Sequence, residues 1–152
     1  MTLPQILKSA IQKEIASREL YVGLEQRVKN PASRETLHYM ADQEKTHQQV
    51  LELYSTNILN EGALHTDLIV DYKIAEHLDQ PEITPEMGLK EIFALAAVKE
   101  KASHELYLGL AKIYPDGKIK RLLEDLAGQE LVHKLRVETL YTEVAFPQTD
   151  GG

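Results

Sequence analysis

Apolar residues recur at every third or fourth position along four stretches of the chain, roughly 4–30, 31–60, 85–114 and 117–145. That spacing predicts four amphipathic α-helices. In the first, Leu7, Ala10, Ile11, Glu14, Ser17, Tyr21, Leu24 and Val28 lie along one stripe, and a helix of that length extends roughly 40 Å. Rods so long pack side by side in a bundle. Prolines punctuate the pattern: Thr2 before Pro4, Asn30-Pro31 and Thr84-Pro85 read as helix starts, while Pro81, Pro115 and Pro147 fall between or after the periodic segments. The links at Lys29-Asn30-Pro31 and at Tyr114-Pro115-Asp116-Gly117 are short, so helices one and two, and helices three and four, should form antiparallel hairpins. Residues 61–83 are long enough to run the length of the bundle, and Thr66 to Leu78 reads as a short amphipathic helix on Leu68, Ile69, Tyr72, Ala75 and Leu78. The expected fold is an all-α four-helix bundle with one long crossover.

Displacing the chain by 86 residues aligns it with itself. Residues 13–24 match 99–110 at nine of twelve positions, and over 13–47 against 99–133 there are 14 identities in 35 without a gap. The two hairpins therefore read as copies of one unit related by a pseudo-twofold axis. Several matched residues are polar yet lie on the face that should be buried. Glu14 sits between Ile11 and Tyr21, and Glu100 between Ala97 and Tyr107. Glu44 and His47 share the face of Leu37, Ala41 and Leu51; Glu130 and His133 share that of Leu123, Ala127 and Val137.

Residues three apart on a helix are neighbours, so each Glu-x-x-His presents a carboxylate oxygen and an imidazole nitrogen to one point. Four ionised carboxylates buried together are strongly unfavourable unless a cation or protons accompany them. One Glu from each of two helices with a Glu-x-x-His from each of the other two is the donor set of di-iron and di-manganese carboxylate bundles. Oxygen-rich donors with one nitrogen per ion suit iron or manganese better than zinc or calcium.

Composition narrows the setting. The 152 residues suit one domain, and the formal net charge of −7 argues against capture by nucleic acid or by an anionic membrane surface. With no cysteine, there is no disulfide, thiolate ligand or cysteine nucleophile. No apolar run of about 18 residues occurs, and Lys8, Gln12, Lys13 and Glu14 interrupt the opening segment as no secretory signal would. A cytoplasmic protein is expected, with residues 148–152 a flexible tail.

On these residues the chain, over about 4–145, resembles the rubrerythrin-like branch of the ferritin-like superfamily. The resemblance implies two iron ions, with manganese the alternative, and metal ligands Glu14, Glu44, His47, Glu100, Glu130 and His133. Glu44 and Glu130 would bridge the ions, with Glu14 and His47, and Glu100 and His133, capping one each; the pairing of caps stays open at this point. It implies an oxidoreductase that reacts Fe(II) with dioxygen or peroxide, ferroxidase-like or peroxidase-like. The chain departs from the pattern in two places. It lacks the cysteines of a rubredoxin module, so electrons would come from a partner protein in trans, a small reductant or ferrous iron itself. Ser103 stands where an additional carboxylate is common, which makes the site more symmetric and closer to a ferroxidase centre. The competing readings are an iron sequestration or delivery protein without turnover, and a metal-free structural bundle.

Around this set, Tyr21 and Tyr107 lie two turns beyond Glu14 and Glu100 and are candidates to hydrogen-bond a ligand carboxylate. Gln43 and Gln129 read as solvated or interface positions, and Glu19 and Glu105 point about 140° away from the ligand stripe. Gly23 and Gly109 suggest close helix approach. His104, four residues after Glu100, reads as a partly exposed histidine, with a spare ligand the alternative; His38, His65 and His77 are assigned to surface or packing. A homodimer is expected from the long amphipathic helices.

Overall fold

The computed structural model describes residues 2–56 and 70–147. These form four long helices, α1 (Leu3–Arg27), α2 (Pro31–Ser55), α3 (Leu89–Ile113) and α4 (Lys118–Ala145), with no strand among the described residues. The closest backbone packing lies within the pairs α1/α2 and α3/α4, which are the two expected hairpins.

The helix starts follow the capping rules read from the sequence, with one exception. The Thr2 hydroxyl accepts from the Gln5 amide at 3.3 Å while the Gln5 side chain accepts from the Thr2 amide at 2.7 Å, a reciprocal cap. Asn30 accepts from the Ser33 amide at 3.1 Å, with Pro31 opening α2. Thr84-Pro85, however, starts no helix. It forms a turn in which the Met87 amide reaches the Thr84 carbonyl, and α3 begins at Leu89, where Glu91 accepts from the Gly88 amide at 3.2 Å. Gly117 opens α4 at φ +153°, a conformation that L side chains rarely adopt.

The crossover is less helical than its periodicity suggests. Part of the expected helix from Thr66 to Leu78, and His65 before it, lies outside the described residues; in the remainder only Ala75–His77 coils, as a 3₁₀ turn. Lys73 takes φ +53°, and its amide donates to the Asp71 carboxylate at 2.9 Å, a local turn that competes with helix. This segment is fastened to α4. The Lys134 ammonium, fully buried, lies 2.8 Å from Asp71, 3.1 Å from Glu76 and 3.0 Å from Glu138, and Glu138 also accepts from the Ala75 amide at 2.6 Å.

The core divides into two apolar clusters along the bundle axis. One contains Tyr21, Leu24, Leu37, Met40, Ala41, Leu95, Ala97 and Val137; the other contains Leu7, Ala10, Leu51, Tyr107, Leu123, Leu126 and Ala127. On every helix the conserved-offset glutamate falls between them: Glu14 between Ala10 and Tyr21, Glu44 between Ala41 and Leu51, Glu100 between Ala97 and Tyr107, Glu130 between Ala127 and Val137. Helix periodicity alone thus brings four carboxylates to one polar layer halfway along an apolar core.

Gly23 and Gly109 do not mark a close approach. A Cβ at either would meet nothing within 4 Å, so the shared glycine is not explained by packing within the chain.

Candidate metal centre

All four glutamates of the polar layer are buried, with 3–7% of their surface exposed. One oxygen or nitrogen from each of Glu14, Glu44 and His47 falls within 4.8 Å of the others, and Glu100, Glu130 and His133 make the equivalent group. The structure therefore gathers the six sequence-predicted residues into two triads, one per hairpin. Within them, His47 Nδ1 lies 3.5 Å from Glu14 Oε2 and 3.8 Å from Glu44 Oε2, and His133 Nδ1 lies 3.9 Å from Glu100 Oε2. The two imidazoles stack face to face across the pseudo-twofold, centroids 3.7 Å apart and planes within 7°. Glu14 thus lies beside His47, and Glu100 beside His133.

The charge states follow from burial and from these contacts. Burial pushes Glu14 upward, and it holds Glu100 well above the carboxylate range with help from the charge of Glu130. Glu44, although buried, is lowered by the neighbouring His47, 3.8 Å away, and by Glu14. Burial disfavours a charged His47, but Glu14 and Glu44 outweigh it and raise this imidazole to about 9. His133 is driven down to about 3 by burial and then by the facing charge of His47. Two imidazolium rings at that separation would repel strongly, and Glu14 and Glu44 favour the proton at His47.

Does the layer fit a cation? Glu14 Oε2, Glu100 Oε2, His47 Nδ1 and His133 Nδ1 are buried without a hydrogen-bond partner. They are one carboxylate oxygen and one imidazole nitrogen from each triad, in symmetric pairs. Unpartnered buried polar atoms are costly, and oxygen with imidazole nitrogen is a donor set suited to iron or manganese. The residues fit.

One participant was not singled out in the sequence. Lys13 reaches in from the flank of α1 to lie 3.3 Å from Glu130 and 3.9 Å from Glu14, with its ammonium 5.0 Å from the centre of the Tyr107 ring. Lys99 occupies the same place in the repeat yet is exposed. The identity of the two lysines was visible in the alignment, but nothing in the repeat distinguishes the one that turns inward.

The remaining candidates separate clearly. Tyr21 and Tyr107 are both buried, in opposite apolar clusters, and burial followed by the nearby glutamate charges raises both phenols. The Tyr107 hydroxyl is buried without a hydrogen-bond partner. His104 is half-buried and its Nδ1 pairs with the Ala127 carbonyl at 2.8 Å, which engages it with α4 outside both triads. His38 is exposed beside Glu25 and Asp42, His77 is exposed, and Glu19 and Glu105 face solvent. A third acidic group, Asp71, Glu76 and Glu138, is the one Lys134 fills with its own ammonium.

Two small cavities flank the stacked imidazoles. The first is about 40 Å3, with Glu44, Glu100, His47 and His133 in its lining; the second is about 50 Å3, with Glu14, Glu130 and the same two histidines. Gln43 lines the first and Gln129 the second, so both glutamines border the candidate centre and are half-buried, closer to it than their sequence positions suggested.

Comparison with known proteins agrees with this arrangement. No curated protein matches the chain. A hypothetical protein from Pyrococcus furiosus has a similar structure, with a TM-score of 0.54 and 23% sequence identity over 98% of this chain and 94% of that one; at that identity the likeness speaks for the helical fold. The Rubrerythrin family model matches residues 5–141, nearly the whole bundle and all six residues of the two triads. The chain has a ferritin-like helical bundle and belongs to the rubrerythrin family, whose members generally bind di-iron.

Proposed function

We propose that this protein is a non-haem dinuclear iron oxidoreductase that reacts Fe(II) with dioxygen or peroxide. The observation that supports the reading most directly is the symmetric set of unpartnered buried donors, one carboxylate oxygen and one imidazole nitrogen from each triad. Glu14, Glu44 and His47 would hold one ion, and Glu100, Glu130 and His133 the other. Bound iron would supply the electrons for reducing a small oxidant and the open positions at which it is held.

The chain's own residues set the conditions. Four carboxylates would offset the charge of two divalent ions, and bound cations would favour the ionised forms of Glu14 and Glu100, which burial raises. The proton on His47 must leave for its nitrogen to become a ligand, so metal binding releases protons. The apolar clusters on either side keep bulk water out, and the Tyr107 hydroxyl is a donor in reserve for a ligand carboxylate. Among the described residues no helix is long and apolar enough to cross a membrane. We place the protein in the cytoplasm as a homodimer that takes electrons from a separate donor protein or from ferrous iron.

Metal analysis of protein purified without supplementation, joined to an anomalous-scattering map, tests the assignment. Two iron ions per chain on the six residues are expected, with near-ultraviolet absorption after oxidation and consumption of oxygen or peroxide by the Fe(II)-loaded protein. Two ions with no such consumption would favour sequestration over turnover, and no metal at the six residues would end the di-iron reading.

A further inference from the structure

The two cavities are images of each other under the internal duplication. Every residue lining the second is the 86-residue partner of one lining the first. Thus Gln129 answers Gln43, Leu126 answers Met40, Leu51 answers Val137, and each imidazole serves both. One pair breaks the chemical likeness: Arg136 borders the first cavity where Val50 borders the second. Around Arg136 a mouth has been built between α2 and α4. Its Nη1 donates to the Tyr39 hydroxyl at 3.1 Å and to the Gln43 carbonyl oxygen at 3.3 Å. Both partners are uncharged, so the guanidinium keeps its full positive charge. Arg136 and Tyr39 are exposed, whereas Met40, Phe93 and Val137 below them are buried and lead to the floor at Glu44, Glu100 and the imidazoles.

We infer that the passage beneath Arg136 is the way in for a small uncharged or anionic oxidant, with the Arg136 guanidinium drawing anions to its mouth. Size supports the substrate class. A cavity needs about 10–15 Å3 to hold one water, so the first, at about 40 Å3, has room for a molecule of a few atoms and none for an organic substrate. Charge supports the assignment for anions, because a guanidinium bonded to uncharged groups at an apolar mouth raises their local concentration. At the second cavity the cation is Lys13, 3.3 Å from Glu130 and 3.9 Å from Glu14, so its charge is paired with carboxylates, whereas Arg136 bonds the uncharged Tyr39 and Gln43.

The inference rests on the di-iron reading, and cobalt with azide separates the two. The full chain is loaded with Co(II), whose visible bands report both metal uptake and azide binding. Wild type is expected to take up two Co(II) and bind azide. Arg136→Glu, at an exposed position, should weaken azide about tenfold, the scale of reversing one charge at a focused site, while still taking up two Co(II). Val137→Phe, which fills the first cavity, should slow azide binding about tenfold, whereas Leu51→Phe, at the mirror position, should leave azide binding unchanged. Azide binding that is absent from wild type, indifferent to Arg136→Glu, or slowed equally by both phenylalanines overturns the passage. Failure of wild type to take up two Co(II) overturns the di-iron reading itself. Should Val137→Phe fail to fold, the Arg136→Glu comparison still decides.

Discussion

At the scale of single residues the candidate centre is a problem in charge accounting, and Lys13 and His47 carry the positive terms. Lys13 lies within ion-pair distance of two glutamates from different hairpins and is mostly shielded from solvent. An ammonium there competes with any ion that would share those oxygens. Lys13→Gln should therefore tighten binding of the weaker of two Co(II) ions about tenfold, roughly 1.4 kcal/mol, in a competition titration; an unchanged or weaker affinity would show that Lys13 is only a packing residue. His47 makes a prediction about pH. Its value in the folded protein is raised to about 9, above the ordinary 6.5, so its pairing with Glu14 and Glu44 stabilises the metal-free protein fully below about 6.5. That contribution is lost as pH rises through 9. Urea unfolding of metal-free protein should show stability falling by up to about 3 kcal/mol between those limits, and His47→Gln should flatten the slope across that window. Burial of Glu14 and Glu100 works in the same direction, since both are raised.

At the scale of elements, the crossover depends on one lysine. Lys134 is wholly buried, and Asp71, Glu138 and Glu76 hold its charge in place against the pull of burial. Lys134→Met would leave Glu138, itself 1% exposed, as an uncompensated buried carboxylate. The expected cost is about 3–5 kcal/mol, and Lys134→Met with Glu138→Leu should be milder than Lys134→Met alone. Hydrogen exchange localises the effect: protection at residues 70–78 should fall before that of α1 and α2. This cluster illustrates what the sequence could not reveal. Glu14, Glu44, Glu100 and Glu130 were legible because each breaks an apolar stripe at a repeated spacing, a signal local to one helix and present twice. Asp71 and Glu76 break no stripe, and Lys134 aligns with Gln48 in the repeat, so only the folded chain brings them together. The start of α3 was misplaced for a related reason: Thr84-Pro85 satisfies the local rule for a helix start, but the chain spends four more residues in a turn before Leu89.

At the scale of the whole molecule the duplication explains both the symmetry of the triads and where it fails. The two hairpins contribute equally to the polar layer, and the four helices, the hairpin pairing and the long crossover were all readable from periodicity and link length. What the repeat did not foretell is the set of asymmetries laid over it: Lys13 turned inward against Lys99 outward, Arg136 against Val50, His47 raised by its glutamates against His133 lowered by burial. Each depends on the side chains facing it from the other hairpin, and no comparison of one helix with its copy contains that information.

The close pairing of backbones within each hairpin, with looser packing across, has a mechanical consequence. The chain is two stiff clips joined by a strap, and the joint between the clips runs through a layer whose charges resist closure. Cations in the two facing triads would offset those charges, so the strength of that joint would be set by occupancy, and the chain would be most rigid at the moment it is ready to react.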